Sequence, residues 1–239
     1  MADADRRLSH EIPPYSITVG NIYFCLIKNK TSTTIEFDDT VIEVPMAKTV
    51  ALSQNTASQD IWASGALLAT LVRTNYLEIS LATVSLPQHL INAIEGAESV
   101  DGITINKTND VEREFAFGFW AENNDGSHVS FWLPVCKLIP SEKSYTTRTA
   151  DLPDPEVSYT VRGIPFDNVL RVRVSSDDAK KYEINLPDAR EFSQQFFLTP
   201  MYRMEQVQTL VSKYRTVADG AVAEFATLAT ALNKKDDKK

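Results

Sequence analysis

FAFGFWAENNDGSHVSFWLPV, residues 115–135, packs six aromatic rings around one polar turn. Phe115, Phe117 and Phe119 alternate with Ala116 and Gly118, the period of an extended strand. With Arg113 ahead of them, the three phenylalanines share one face. Glu112, Glu114, Ala116 and Gly118 take the other. After NNDG, Val129, Phe131, Leu133 and Val135 line up again. Asn and Asp tolerate left-handed backbone and Gly126 adopts it freely, so this is a β-hairpin. Its two faces are expected to differ, one strongly apolar and one small or acidic. Pro134 lacks an N–H and predicts an edge or a bulge. The rings read as packing, because alternation drives them into a face that something must bury. A sugar-binding platform would need exposed rings, and Trp120 and Trp132 near the turn are the candidates for that.

The flanking segments extend the β pattern. SITVGNIYFCLI (16–27) is β-branched and aromatic, a strand. TIEFDDTVIEVP (34–45) reads as two short strands or an irregular loop. AKTVALSQNTASQDIWASGA (47–66) is polar and Ser/Ala-rich, a long excursion with strand character. In LLATLVRTNYLEISLATV (67–84), Leu77, Ile79 and Leu81 oppose Tyr76, Glu78 and Ser80, a half-buried strand. LPQHLINAIEG (86–96) switches to helical spacing, with Pro87 suited to a first turn and Gly96 to the stop. KLIPSEKSYTTRTADLPDPEVSYTVRGIPF holds two further strands around a Pro-rich turn. In NVLRVRVSSDDA (168–179), Leu170, Val172 and Val174 point in and Arg171 and Arg173 out. DAREFSQQFF (188–197) reads as a short helix. From Met204, apolar residues step by three and four through Val207, Val211, Tyr214 and on to Leu232, a heptad seam of about four repeats. A helix docked on its own domain and one laid against another chain both fit that seam. The expected organisation is an arm (1–14), a β domain (15–202) and a helical extension with a charged tail (203–239).

At 239 residues with 43% hydrophobic and 23% charged content, the chain can bury a sizeable core. Its net charge of −8 is uneven: residues 202–239 carry about +2 and the rest about −10. An acidic body argues against tight binding to phosphate backbones. Cys25 and Cys136 sit in apolar strand patterns and read as buried free thiols. No apolar run follows the arginines of MADADRRLSHEIPP, so no signal peptide is expected, and no segment has the length of a membrane span. His10, His89 and His128 stand apart from one another and from the cysteines, so no metal site is expected. Asp38–Asp39 and Asp177–Asp178 lack a calcium-loop pattern. Phosphate-cradling glycine loops and a GxSxG are missing from the sequence. No catalytic residue and no cofactor is therefore assigned, and an enzyme is not expected.

The order of the pieces resembles the major tail proteins of long-tailed bacteriophages. The likeness runs over residues 15–202. It rests on VGNIYFCLI, the long loop SQNTASQDIWASGA, YLEISLATV followed directly by LPQHLINAIEG, the hairpin FAFGFWAENNDGSHVSFWLPVCKL, SYTTRTADLPDPEVSYTVRGIP and LRVRV. The helix after Tyr202 departs from that pattern. The resemblance implies a mainly β fold, a β-sandwich or barrel-like core with a flanking helix. It implies hexameric rings stacked into a hollow tail tube that conducts the genome, with the long loop and terminal arms bridging rings. The partners would be other copies of the chain, tape-measure, terminator and distal-tail proteins at the tube ends, and DNA that passes without specific binding. The location would be the virion tail, after assembly in the host cytoplasm, with no membrane involved.

A tube that carries DNA works best with carboxylates on its inner face. Glu78, Glu112 and Glu114 are the lumen-facing candidates. Trp62, Phe119, Trp120, Trp132, Arg171 and Arg173 are the subunit-interface candidates. Alternatives of the same class are the inner tube of a contractile tail, a terminator or a baseplate ring. A ligand- or receptor-binding β-sandwich is the alternative from another class.

Overall fold

The computed structural model describes residues 15–45, 47–63, 66–140 and 156–215. The elements in chain order are β1 (Ser16–Lys30), β2 (Ile35–Phe37), β3 (Ile42–Val44), β4 (Ala47–Ala63), β5 (Ala66–Thr83), α1 (Gln88–Glu95), β6 (Glu98–Val100), β7 (Ile103–Ile105), β8 (Phe115–Asn123), β9 (His128–Ile139), β10 (Val157–Gly163), β11 (Val172–Ser175), α2 (Ser176–Lys180), α3 (Ala189–Phe196) and α4 (Met204–Val211), followed by a 3₁₀ turn, Ser212–Tyr214. The fold is mainly β, as the sequence led us to expect. One antiparallel sheet runs β2-β1-β8-β9-β10-β5-β4, with β3 attached to β1 and β11 to β9. β6 and β7 form a separate small hairpin.

The sheet encloses one core on its inner face. Phe115, Phe117 and Phe119 of β8 meet Ile22 and Phe24 of β1, Leu77, Ile79 and Leu81 of β5, and Val161 of β10. Helix α1 closes this core with Leu90, Ile91 and Ile94. That helix ends where the sequence places its stop: Gly96 has φ 72, left-handed backbone that glycine adopts without a Cβ clash. Pro87 stands one residue earlier than expected, at the N-cap. Phe119 stacks on Phe131 at 4.8 Å, and Phe24 meets Phe117 edge-on at 5.3 Å.

The expected small or acidic face of the hairpin is not solvated. Ala116, Trp120 and Trp132 are covered by Phe192, Phe196 and Phe197 of α3 and its end, and by Val207 and Leu210 of α4. Residues 115–120 are buried throughout, so β8 is sandwiched. The small residues are there because a helix lies on them. A Cβ at Gly118 would come within 2.7 Å of Phe197 Cε1 and 3.0 Å of Trp132 Cε3. We expect Gly118→Ala to lose about 1–3 kcal/mol to overpacking, read as a lowered urea midpoint. An unchanged midpoint would mean that the helical cover yields without cost. Glu112 and Glu114 do not share that face, because β8 begins at Phe115 and both precede it.

Pro134 sits at a branch. β9 pairs β11 through Val129–Trp132 and β10 through Cys136–Ile139, and its register with β8 slips between Leu133 and Cys136. A residue without an N–H loses no ladder bond there. Past the expected boundary at residue 203, Val207 and Leu210 pack into the same cluster as the β8–β9 hairpin, the docked reading of the seam's first turns. Leu210, rather than the seam residue Met204, is buried; Met204 is exposed. The rest of the seam, the N-terminal arm and the Pro-rich turn lie outside the described residues. Both thiols are free and buried, with no disulfide between them.

Candidate functional site

The long Ser/Ala stretch is the feature that most distinguishes this surface. It is no loop. β4 and β5 pair continuously from Ala47↔Thr83 to Ala63↔Ala66, with slips at three places. Near the body, Leu77, Ile79 and Leu81 are buried in the core. Beyond Gln54↔Leu77 the ribbon leaves it. The residues described from 53 to 62 are all exposed, as are those from 68 to 73. At about 3.3 Å per residue, the eleven residues from Ser53 to Ala63 reach about 35 Å outward.

This outer half carries few charges, Asp60 and Arg73. Leu68, Leu71 and Val72 are 70%, 56% and 66% exposed, and Trp62 is 64% exposed. Val72 faces Ser58 and Leu71 faces Gln59 in the register, so consecutive residues put an apolar group on each face. Among the described residues, the far edge of β4 ends the sheet order, and its N–H and C=O groups have no neighbouring strand there. A two-stranded ribbon with both faces in water is marginal by itself, and a long apolar edge invites another chain.

A second feature is a groove of about 790 Å³ between β1, the end of β3 and α3. Glu43 lies in it, accepting hydrogen bonds from Asn21 Nδ2 and from Tyr23 Oη, the latter at 3.2 Å. Trp120 lies across Gly20, which leaves room for the indole. Burial, with Glu43 nearby, raises the Tyr23 phenol above its ordinary range. Burial likewise pushes the Cys25 thiol up to about 11 and raises that of Cys136 further, so both stay protonated and unreactive at neutral pH. Among the described residues, no group of three His, Cys, Asp or Glu side chains is placed to hold a metal ion. No helix among them is long and apolar enough to cross a membrane.

The structure disperses the residues singled out from sequence. Of the interface candidates, Trp62 is exposed near the hairpin tip, and Arg171 and Arg173 are exposed beside and on β11, with Arg173 Nη2 3.3 Å from Asp178 Oδ2. Phe119, Trp120 and Trp132 are corrected: at 3%, 7% and 0% exposed, they are core residues of this chain and offer another subunit nothing. The same burial removes the exposed tryptophan pair that a sugar platform would use. Of the lumen candidates, Glu78 is half-buried opposite Arg162 in the β5–β10 ladder. Glu114 is held between Lys30 and Lys137, which cancel its charge locally. Glu112 is exposed on the approach to β8. Ile61, Leu68, Leu71 and Val72 were missed. Their signal was the run Leu67-Leu68 with Leu71-Val72, apolar pairs that no one-sided strand explains.

No family model matches the chain, and no curated protein matches it.

Proposed function

We propose that this chain is a structural virion protein, the subunit of a phage tail tube that forms stacked hexameric rings around the genome's path. The observation that carries this reading is the β4–β5 ribbon, a projecting pair of strands with apolar side chains on both faces and an edge that is open among the described residues. Such a surface is a liability on a free monomer and an adhesive in a polymer. It occupies the position of the long inter-ring loop in the layout the sequence resembles. Head-to-tail contacts of this kind close into rings when the rotation allows, and stacking leaves two open ends. The acidic body supports a conduit, since clustered Lys and Arg would hold passing phosphates.

Negative-stain electron microscopy across a concentration series tests the reading. Six-fold rings or hollow tubes are the expected result. A monodisperse monomer at every concentration would overturn it.

A further inference from the structure

His128 is buried where nothing in the proposed assembly uses it. It opens β9 and is 1% exposed. Its backbone N–H donates to Ser176 Oγ of α2 at 2.8 Å. Its ring lies under α3, with the Phe192 ring centroid 5.5 Å away. Its Nε2 has no hydrogen-bond partner among the described residues, and neither has Ser130 Oγ, two residues along the same face of β9. One end of α3 is tied down by Trp132 Nε1, which donates to Phe196 O at 3.0 Å. The middle of the helix, at Phe192, rests on the imidazole.

The charges around the ring leave a cation there poorly served. Asp188, at the N-cap of α3, has Oδ1 engaged by the Glu191 N–H at 2.8 Å. Lys180 comes from α2 and repels an imidazolium. Glu122 is the register partner of His128 on β8, and it opens into the groove with Asp188. Glu191 sits on α3 near Tyr214, whose ring meets Phe192 at 6.1 Å. We propose that His128 is a proton-operated latch: a neutral imidazole lets α3 lie on the sheet, and a protonated one lifts α3 off the Trp120–Trp132 face.

The direction follows from the burial. Burial lowers the proton affinity of His128, Asp188 opposes this and Lys180 adds to it, with a net depression. With α3 lifted, the ring titrates at its ordinary value of about 6.5. Docking is therefore at full strength above that pH and is lost as pH falls through it towards the lower docked value. The inference stands apart from the tail-tube reading and concerns the single chain.

The test uses the full chain carrying Trp62→Phe, which leaves Trp120 and Trp132 as reporters. Their emission is recorded from pH 8 to pH 4.5, with amide exchange measured in parallel. Expected is a red shift with its midpoint below about 6.5, together with at least a tenfold faster exchange in residues 189–196 and unchanged protection in α1. His128→Phe removes that phase, and His89→Gln keeps it. The proposal fails if the phase survives in His128→Phe, if the wild type shows none, or if α1 and α3 loosen together. Should His128→Phe not fold, proton NMR of the wild type decides. Its His128 ring titrates together with the red shift, whereas titration near the ordinary value with α3 still protected would overturn the latch.

Discussion

Replacing residues 56–75 with Asn-Gly is expected to abolish self-association while leaving a folded monomer. The register makes the excision clean. Asn55 and Tyr76 are partners, so a two-residue turn joins them without disturbing Gln54↔Leu77 or the buried pairs beyond. The removed side chains that are described, 56–62 and 68–75, are exposed or half-exposed and make no contribution to the body's core. The thermal midpoint should move by no more than about 5 °C. The proposed assembly, by contrast, would lose the apolar contact assigned to the ribbon. Burying one Leu or Val side chain gains about 1.5–3 kcal/mol, so Leu68, Leu71 and Val72 together supply a large part of what association requires. Sedimentation velocity over a concentration series reads the outcome. Rings formed as well by the excised chain as by the wild type would move the contact elsewhere. Leu71→Glu with Val72→Glu gives the same test without shortening the chain, one charge for each face of the ribbon.

The second large effect is internal. Trp132→Ala should cost about 4 kcal/mol, a substantial share of the stability of a domain this size. Trp132 is fully buried between the hairpin and α3, and its ring packs edge-on against Phe197 at 5.3 Å. Its Nε1 also satisfies the Phe196 carbonyl at the end of α3. Truncation leaves a cavity and an unserved carbonyl together. With a urea slope of roughly 2–3 kcal/mol per molar, the midpoint should fall by roughly 1.5 M. Trp132→Phe keeps most of the volume and loses the hydrogen bond, so its smaller loss separates packing from polar satisfaction. If both variants stayed within about 1 kcal/mol of the wild type, α3 would not be a structural cover for the sheet.

What was legible in the sequence is what has one-sided periodicity or explicit punctuation. Pro87 and Gly96 bracket α1, and Asp188 caps α3 through the Glu191 N–H. Leu77, Ile79 and Leu81 alternate because one face of β5 meets the core and the other does not. Two things escaped. The outer half of β4, SQNTASQD, read only as an excursion with strand character, because with water on both faces no apolar alternation marks it. The inner hairpin failed in the opposite way. Ala116 and Gly118 read only as part of a small or acidic face, yet they are small to admit Phe197 and Trp132. Size alone does not tell a solvated face from a tightly covered one. That ambiguity also misplaced Trp120 and Trp132 at a subunit contact. Of the residues singled out as interface candidates, Trp62 is the one that falls on the projecting ribbon.

The branch at Pro134 sets the route by which a pull on the projecting ribbon travels through the molecule. Load entering at β4–β5 passes to β10 through seven rungs, Val157↔Thr83 to Gly163↔Leu77. From β10 it reaches β9 through four, Thr160↔Ile139 to Gly163↔Cys136. Only beyond Pro134 does it meet β11 and the helices α2, α3 and α4. The four-rung joint is narrower than the seven-rung ladder that feeds it, a mechanical fuse between the ribbon and the half of the sheet that α3 and α4 cover. A strained subunit would open at that joint first, with the β8–β9 hairpin and its aromatic packing still closed.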